Sequence, residues 1–217
     1  MATMRQLLRD LPVLQGRPPA FDLARAPGTP FALFTEWLDL AIGAGLSEPH
    51  AMTLSTVDES GAPDARIVIL KDADETGFCF AGSGTSRKGR QLGAIPHAAL
   101  TFYWPTQARQ IRVRGQVHPA PRRAAKADFQ ARSLGARALA LLGRQSHPVR
   151  EDEDIGEAVQ SAEAEIGRYP ARVPPHWQLY ILTPNSVEFF QASSDRQHLR
   201  LHYTRSTTTW TRSRLWP

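Results

Sequence analysis

From Thr29-Pro30 onward, apolar residues recur at helical spacing. Phe31, Phe34, Trp37, Leu38, Ala41 and Ile42 mark one face, and Gly43 and Gly45 end the run. Pro at the first helical position fits a helix start, so the pattern predicts a surface helix with one buried face. The period then changes from helical to alternating. Ala51 to Val57 and the β-branched run Ala65 to Leu70 read as strands, separated by the turn Asp58-Glu59-Ser60-Gly61. Asp72 to Gly77 forms a second turn before the strand Phe78 to Ala81. A Gly/Ser/Thr loop (Gly82 to Thr85) leads into a short helix from Ser86, followed by strands at Ala98 to Trp104 and Gln110 to Val117.

From Pro121 to about Arg168 the chain is rich in Ala and charged residues, with helical propensity throughout. Gly143 to Pro148 divides it into at least two helices. Strands return at Gln178 to Leu182, Val187 to Phe190, Arg200 to Thr204 and Thr208 to Arg212. Hairpins dominate, and no regular alternation of strand and helix appears. The fold class expected is therefore mainly β, an antiparallel barrel with peripheral helices rather than a doubly wound parallel sheet. Residues 1–29, mixing Arg and Leu and then rich in Pro, Ala and Gly, read as a partly ordered N-terminal arm. Residues 30–217 read as one domain with a helical excursion at about 121–169.

Composition adds constraints. Of 217 residues, 41% are hydrophobic and 22% charged, enough for a sizeable core, and the net charge of +5 suits an anionic partner. The one cysteine, Cys79, excludes an intrachain disulfide framework and cysteine-rich zinc sites, and its setting between two Phe residues suggests a buried, inert thiol. No apolar signal-peptide core and no membrane-length apolar stretch is present, which leads us to expect a soluble, cytoplasmic chain.

Five segments offer chemistry. In Gly82-Ser83-Gly84-Thr85-Ser86-Arg87-Lys88-Gly89-Arg90, Ser86 is a good N-cap and Arg87 and Lys88 fall in the first helical turn. Cations there oppose the helix dipole, a conflict that a bound anion removes, so the segment reads as a phosphate cradle or as a solvated basic turn. In Arg66-Ile67-Val68-Ile69-Leu70-Lys71, strand alternation places Arg66 and Lys71 on opposite faces, serving two anions or merely bracketing an apolar run. In Arg109-Gln110-Ile111-Arg112, Gln110 carries both donor and acceptor, which suits the edge of a heteroaromatic ring. Arg144-Gln145-Ser146 carries little signal in isolation. In the last, Arg196, His198 and Arg200 share a face, suited to an anionic or electron-rich ligand or to a basic edge strand. His198 and His202 have metal-pair spacing, but nothing completes a site, so no metal is expected.

The nucleophile elbow, the zinc-protease helix and the phosphate-binding loop of nucleotide hydrolases are all missing. The run Glu151-Asp152-Glu153-Asp154 fits a solvated helix start. Scattered cations with little aromatic interleaving argue against nucleic acid as a partner, and nothing points to a membrane.

Taken in order and spacing, Ala65 to Lys71, Ser86-Arg87-Lys88, Arg109-Gln110-Ile111, Arg144-Gln145-Ser146 and Arg196-Gln197-His198-Leu199-Arg200 resemble the landmarks of the pyridoxine/pyridoxamine 5′-phosphate oxidase family. The resemblance runs from Phe34 to Pro217. It implies a six-stranded split barrel binding flavin mononucleotide (FMN) at the interface of a homodimer. It implies that Arg66, Arg87 and Lys88 hold the FMN phosphate, and that Gln110, Gln145, Ser146, Phe190 and Arg200 contact the rest of the flavin. Ile67, Lys71 and Ser86 are counted among the cofactor contacts. Lys71 and Arg132 would hold a substrate phosphate, with Asp128 and Ala136 on the same helix. Arg196 and His198 would close over the substrate ring as the catalytic pair. The implied reaction oxidises the amine or alcohol of a phosphorylated pyridine to the aldehyde, with O2 reduced to hydrogen peroxide.

The chain departs from the family pattern at four places. Asp128 and Ala136 stand where a Tyr and a Ser help bind the substrate phosphate, and Asp would repel that group. Phe190 replaces a Trp, and Ala81 a flavin-contacting Tyr. The phenazine-biosynthesis flavin oxidases share the FMN site and lack the same Tyr, so a specialised oxidase acting on a reduced aromatic is the second expectation. A non-catalytic flavin or haem carrier and a deazaflavin-dependent reductase on the same barrel are further ones.

Overall fold

The computed structural model describes residues 3–13 and 15–217. Among them are six helices, α1 (Met4–Asp10), α2 (Pro30–Gly43), α3 (Arg87–Ala94), α4 (Arg122–Gln130), α5 (Leu134–Leu142) and α6 (Ile155–Arg168). Eight strands accompany them: β1 (Ala51–Val57), β2 (Pro63–Asp74), β3 (Gly77–Ser83), β4 (His97–Trp104), β5 (Arg109–Pro119), β6 (Trp177–Gln191), β7 (Leu199–Arg205) and β8 (Trp210–Arg214). The sheet order is β3-β2-β1-β4-β5-β6-β7-β8, and β3 also pairs with β6. The first six strands thus close into an antiparallel barrel, with β7 and β8 as extra strands. No helix among the described residues is long and apolar enough to cross a membrane.

The chain divides into two compact units, one of residues up to His50 with Thr101–Val113 and Ser186–Pro217, the other of Ala51–Leu100 with Arg114–Asn185. In the first, α2 starts at Pro30 as expected, and Thr29 caps it, accepting from the Ala32 amide at 3.4 Å. The buried stripe is Pro30, Leu33, Phe34, Trp37 and Ala41. Ile42, expected on that face, is exposed. At 100° per residue it lies roughly 120° from the stripe's centre, whereas Leu33 lies within about 60° of it. Trp37 meets Phe189 edge-on at 5.2 Å and Phe34 meets Phe102 at 5.2 Å, each buried ring contributing roughly 1.5–3 kcal/mol. The arm joins this core: Phe21 packs edge-on against Trp37 at 5.1 Å, the Arg17 amide donates to Thr106 O, and Tyr203 Oη donates to Pro27 O at 2.7 Å.

In the second unit β1 and β2 pair in register from Ala51↔Ile69 to Val57↔Pro63. The β2–β3 ladder then slips: Leu70 pairs with Phe80 but Asp72 with Cys79, leaving Lys71 as the extra residue of a bulge. The helical excursion, expected to hold at least two helices, holds three. Gly143 ends α5 in the left-handed conformation (φ 66°), where a β-carbon would also lie 2.9 Å from the His176 ring. α5 and α6 share a small core of Ala138, Ala162 and Ile166.

Two further expectations are corrected. The strands foreseen at 178–182 and 187–190 are one, β6. Its first half pairs with β3 and its second with β7, and Pro184, which has no N–H, lies between the two ladders. Cys79 is half-buried rather than buried, and burial still raises its thiol pKa to about 11.

Candidate functional site

In the second unit the β3–α3 turn is built for close approach. Ser86 Oγ accepts from the Gly89 amide at 3.3 Å and donates to Ser83 O at 2.6 Å, so the N-cap foreseen from the sequence is present. A β-carbon on Gly89 would sit 2.4 Å from Ser83 O and 2.5 Å from Gly84 O; only glycine lets α3 start this close to the turn. One on Gly82 would meet Lys88 Cε at 2.7 Å. Lys88 is thus threaded under the turn, 8% exposed, its Nζ donating to Gln145 Oε1 at 3.0 Å and Ser86 Oγ at 3.4 Å. Burial, then the charge of Arg66, lowers its pKa, so a nearby anion would relieve both effects.

Arg66 is the hub of a polar network on β2. Its Nη1 donates to Thr56 Oγ1 at 2.6 Å and Leu54 O at 3.3 Å, and its Nη2 to Gln91 Oε1 at 3.1 Å. Nη2 also lies 2.6 Å from Asp64 Oδ2. The same oxygen takes Gln91 Nε2 at 3.2 Å and pairs with Arg87 Nε at 3.2 Å. The hydrogen bond from Gln91, then the charges of Arg66 and Arg87, hold the Asp64 carboxyl below its ordinary range against the opposing effect of burial.

A cavity of about 710 Å³ in this unit is lined by Arg66, Ile67, Lys71, Lys88, Arg132, Ala136 and Gln145, among others. Arg66 and Lys71, expected on opposite faces, line one cavity, as do the consecutive residues Ile67, Val68 and Ile69 between them, so the cavity takes in both faces of this stretch of β2. Apolar wall comes from Ile67, Leu139, Leu142, Ile155 and Trp177. Ser86, Arg87, Asp128 and Ser146 are not among the lining residues; Ser146 is exposed, with φ 71°. Asp128 is no bare repulsive charge. It accepts from Trp177 Nε1 at 3.0 Å and lies 4.0 Å from Lys71 Nζ. Arg132 stacks its guanidinium 4.5 Å from the Trp177 ring centre, and its buried Nε has no hydrogen-bond partner among the described residues. Burial lowers its pKa, with Asp128 opposing. Glu153 is likewise more than a solvated charge: it pairs with Arg144 at 2.7 Å, while Asp154 caps α6.

The remaining predicted residues lie in the first unit. Phe190 and Arg200 face each other across the β6–β7 ladder, and the His198 ring lies 5.2 Å from that of Phe190. His198 Nδ1 accepts from the Ser193 amide at 3.1 Å, which leaves the proton of the neutral ring on Nε2. Arg196 ends the preceding turn with φ 63°, its side chain exposed. Gln110 is half-buried on β5. Beside it Arg109 is fully buried, donating from Nε to Gln191 Oε1 at 2.8 Å and lying 3.9 Å from the Trp37 ring centre; burial pulls its pKa down to about 10. Glu188, also buried, binds Arg112 and Arg200 together.

Asp64, Gln91, Thr56, Arg109 and Glu188 were missed as contributors. Asp64 shares Arg66's strand face at i−2, and Gln91 shares Arg87's helix face at i+4, so a search for partners of the two arginines would have found them. No such local signal exists for Glu188 and Arg112.

A cationic, half-apolar cavity beside a glycine-built helix start can take an aromatic ligand carrying a phosphate. Residues 38–165 match the family model described as pyridoxamine 5′-phosphate oxidase, and residues 177–217 match the pyridoxine 5′-phosphate oxidase C-terminal dimerisation region. The pyridoxine/pyridoxamine 5′-phosphate oxidase of Ectopseudomonas mendocina is 41% identical over 196 residues, covering 89% of this chain and 91% of its own. That of Burkholderia mallei is 42% identical over 201 residues, covering 91% and 94%. Among solved structures, PhzG from Burkholderia lata, in complex with tetrahydrophenazine-1-carboxylic acid, superposes with a TM-score of 0.84 at 30% identity, covering 93% of this chain and 100% of its own.

Proposed function

The chain belongs to the pyridoxine/pyridoxamine 5′-phosphate oxidase family and is an oxidoreductase of that family; from that premise we propose that it binds FMN and oxidises pyridoxamine or pyridoxine 5′-phosphate to pyridoxal 5′-phosphate, reducing O2 to hydrogen peroxide. The observation that carries this reading is the cavity in the second unit, where Lys88 is threaded under a turn that only glycines at 82 and 89 permit. The fit to FMN rests on the same feature. The cradle offers a buried ammonium, the first amides of α3 and the Arg87 guanidinium to a phosphate monoester, and the apolar wall offers room for a ring.

In this reading Lys88 and Arg87 hold the FMN phosphate, and Arg66 contributes its charge. Ile67 and Gln145 lie along the cofactor, and Gln110, Phe190 and Arg200 contact the rest of the flavin at a homodimer interface. FMN, when bound, supplies the two-electron oxidation. The protein binds, orients and excludes water. Lys71 and Arg132 attract the substrate phosphate. Arg196 and His198 close over the pyridine, His198 with Nε2–H free to donate. The dimerisation-region match supports a homodimer.

One observation favours a second reading. Asp128 pairs with Lys71, and Ala136 donates no hydrogen bond, so the substrate-phosphate seat is weakened. An FMN-dependent oxidase of a reduced aromatic substrate fits that change, and the likeness to PhzG supports it.

The absorption spectrum of the purified protein is the first test: flavin bands with FMN released on denaturation are expected, and a colourless protein that FMN cannot reconstitute would overturn the proposal. Aldehyde and peroxide production from pyridoxamine 5′-phosphate then separates the readings. A flavoprotein that leaves it untouched belongs to the second.

A further inference from the structure

Arg66 and Arg87 reach the same carboxylate oxygen, Asp64 Oδ2, but spend their donors differently. A guanidinium has five N–H groups. Arg66 commits three of them to hydrogen bonds, two from Nη1 to Thr56 and Leu54 and one from Nη2 to Gln91, and Nη2 is also ion-paired with Asp64. Arg87 is ion-paired with Asp64 through Nε at 3.2 Å, and its charge also acts on Asp58; among the described residues no hydrogen bond engages Nη1 or Nη2, which leaves their four N–H groups open. Its side chain is 65% exposed, so without that tether it would sample many rotamers.

The charge balance at the start of α3 points the same way. Arg87 and Lys88 occupy the first turn, where the helix dipole disfavours cations, and that turn contains no acidic residue. The missing negative charge comes from β2, through Asp64.

We propose that Asp64 is a positioning residue of the cofactor cradle: it grips Arg87 by Nε, so that the Nη fork is presented to a phosphate monoester, while Arg66 serves chiefly as a fixed hub. The inference rests on the reading of the cradle as the FMN phosphate seat. It makes Arg87 the guanidinium that recognises the phosphate and Asp64 the reason it can. A planar guanidinium anchored on one edge loses less freedom when the other edge binds two phosphate oxygens.

The test is binding rather than turnover. Dissociation constants of the cofactor-free protein for FMN and for riboflavin are measured from the quenching of flavin fluorescence. Riboflavin has the same ring and lacks the phosphate, so the ratio of the two constants isolates the cradle. The wild-type protein prefers FMN. Asp64→Asn is expected to weaken FMN about tenfold, the size of one charge-assisted hydrogen bond, with riboflavin changed less than about twofold. Arg87→Ala is expected to lose at least as much, and Asp64→Asn added to Arg87→Ala to cost nothing further. A purely structural role would weaken both flavins together. That result, or FMN binding to Asp64→Asn as tightly as or more tightly than to wild type, overturns the inference. Should Asp64→Asn fail to fold, Arg87→Lys carries the test: an ammonium cannot engage Asp64 and fork onto a phosphate at once, so the FMN preference falls, and an unchanged ratio overturns the inference. A wild-type protein indifferent to the phosphate sinks the underlying cofactor reading, and the inference with it.

Discussion

Glu188 grips Arg200 at two points across the β6–β7 ladder, its Oε1 lying 2.9 Å from Nε and 2.8 Å from Nη2. Its other oxygen takes Arg112 from β5. One buried carboxylate thereby orders two arginines. Arg200 Nη1 continues the chain of contacts to the Trp216 carbonyl at 2.9 Å.

Burial pushes the Glu188 pKa up, but hydrogen bonds from Arg112 and Arg200, with their charges, outweigh it and hold the group below its ordinary value. A carboxyl depressed in the folded state stabilises above its unfolded pKa, and that stability fades as pH falls through the folded one. Glu188→Gln is expected to cost about 3 kcal/mol at pH 7, because two arginines lose their counter-charge. It should also flatten the decline in stability as the pH is lowered through the carboxylate range. Urea denaturation of both proteins at a series of pH values checks this; parallel pH profiles would refute it.

Two glycines of the cradle should respond differently to the same methyl group. Gly89→Ala drives its β-carbon onto backbone carbonyls at 2.4 and 2.5 Å, which cannot yield without unseating α3. A loss of more than about 2 kcal/mol in unfolding free energy is expected. Gly82→Ala meets Lys88 Cε, the far part of a flexible chain, which can swing aside. That variant should melt within a few degrees of wild type yet retain FMN poorly after gel filtration. Equal effects of the two substitutions on stability would contradict this account.

Asp128 gives a handle on the substrate. Asp128→Asn keeps an acceptor for Trp177 Nε1 and removes the charge facing Lys71. For a phosphorylated pyridine, KM should fall about tenfold with kcat little changed, since the interaction gained is made equally in ground and transition states. Asp128→Tyr should act in the same direction. Steady-state kinetics with pyridoxamine 5′-phosphate provide the measurement, and an unaltered KM in both variants would remove Asp128 from the account of substrate choice.

Cys79, with its pKa raised to about 11 by burial and then by Asp72 and Asp74, should resist alkylation. At pH 8 the folded protein holds about a thousandth of its thiol as thiolate, against roughly a quarter for a free cysteine. Iodoacetamide labelling followed by mass spectrometry is expected to be slow until denaturant is added. Rapid modification of the folded chain would show that the thiol is more accessible than its setting implies.

Helix α2 and its start at Pro30, the alternating strands, the Ser86 cap and the glycine that ends α5 were all legible along the chain. Each depends on residues two to four positions apart, and side-chain periodicity and capping act over that range. Composition likewise sufficed to expect an anionic partner and no cysteine-based chemistry. Alternation did not separate Arg66 from Lys71, because the cavity takes in both faces of β2 from Arg66 to Ile69, and it was interrupted at Lys71 by one extra residue in the ladder with β3. It failed again at Pro184, where a change of pairing partner kept one strand whole. Nothing near Asp128 in sequence marks it as the partner of Trp177, 49 positions on, and nothing near Glu188 announces Arg112, 76 positions before it. Such pairings follow from strand register and helix docking, which are set by the whole barrel's hydrogen-bond closure and core packing rather than by any local pattern. The elements were therefore written in short-range order. The convergence of charges that makes a site out of them was decided only when distant segments closed on one another.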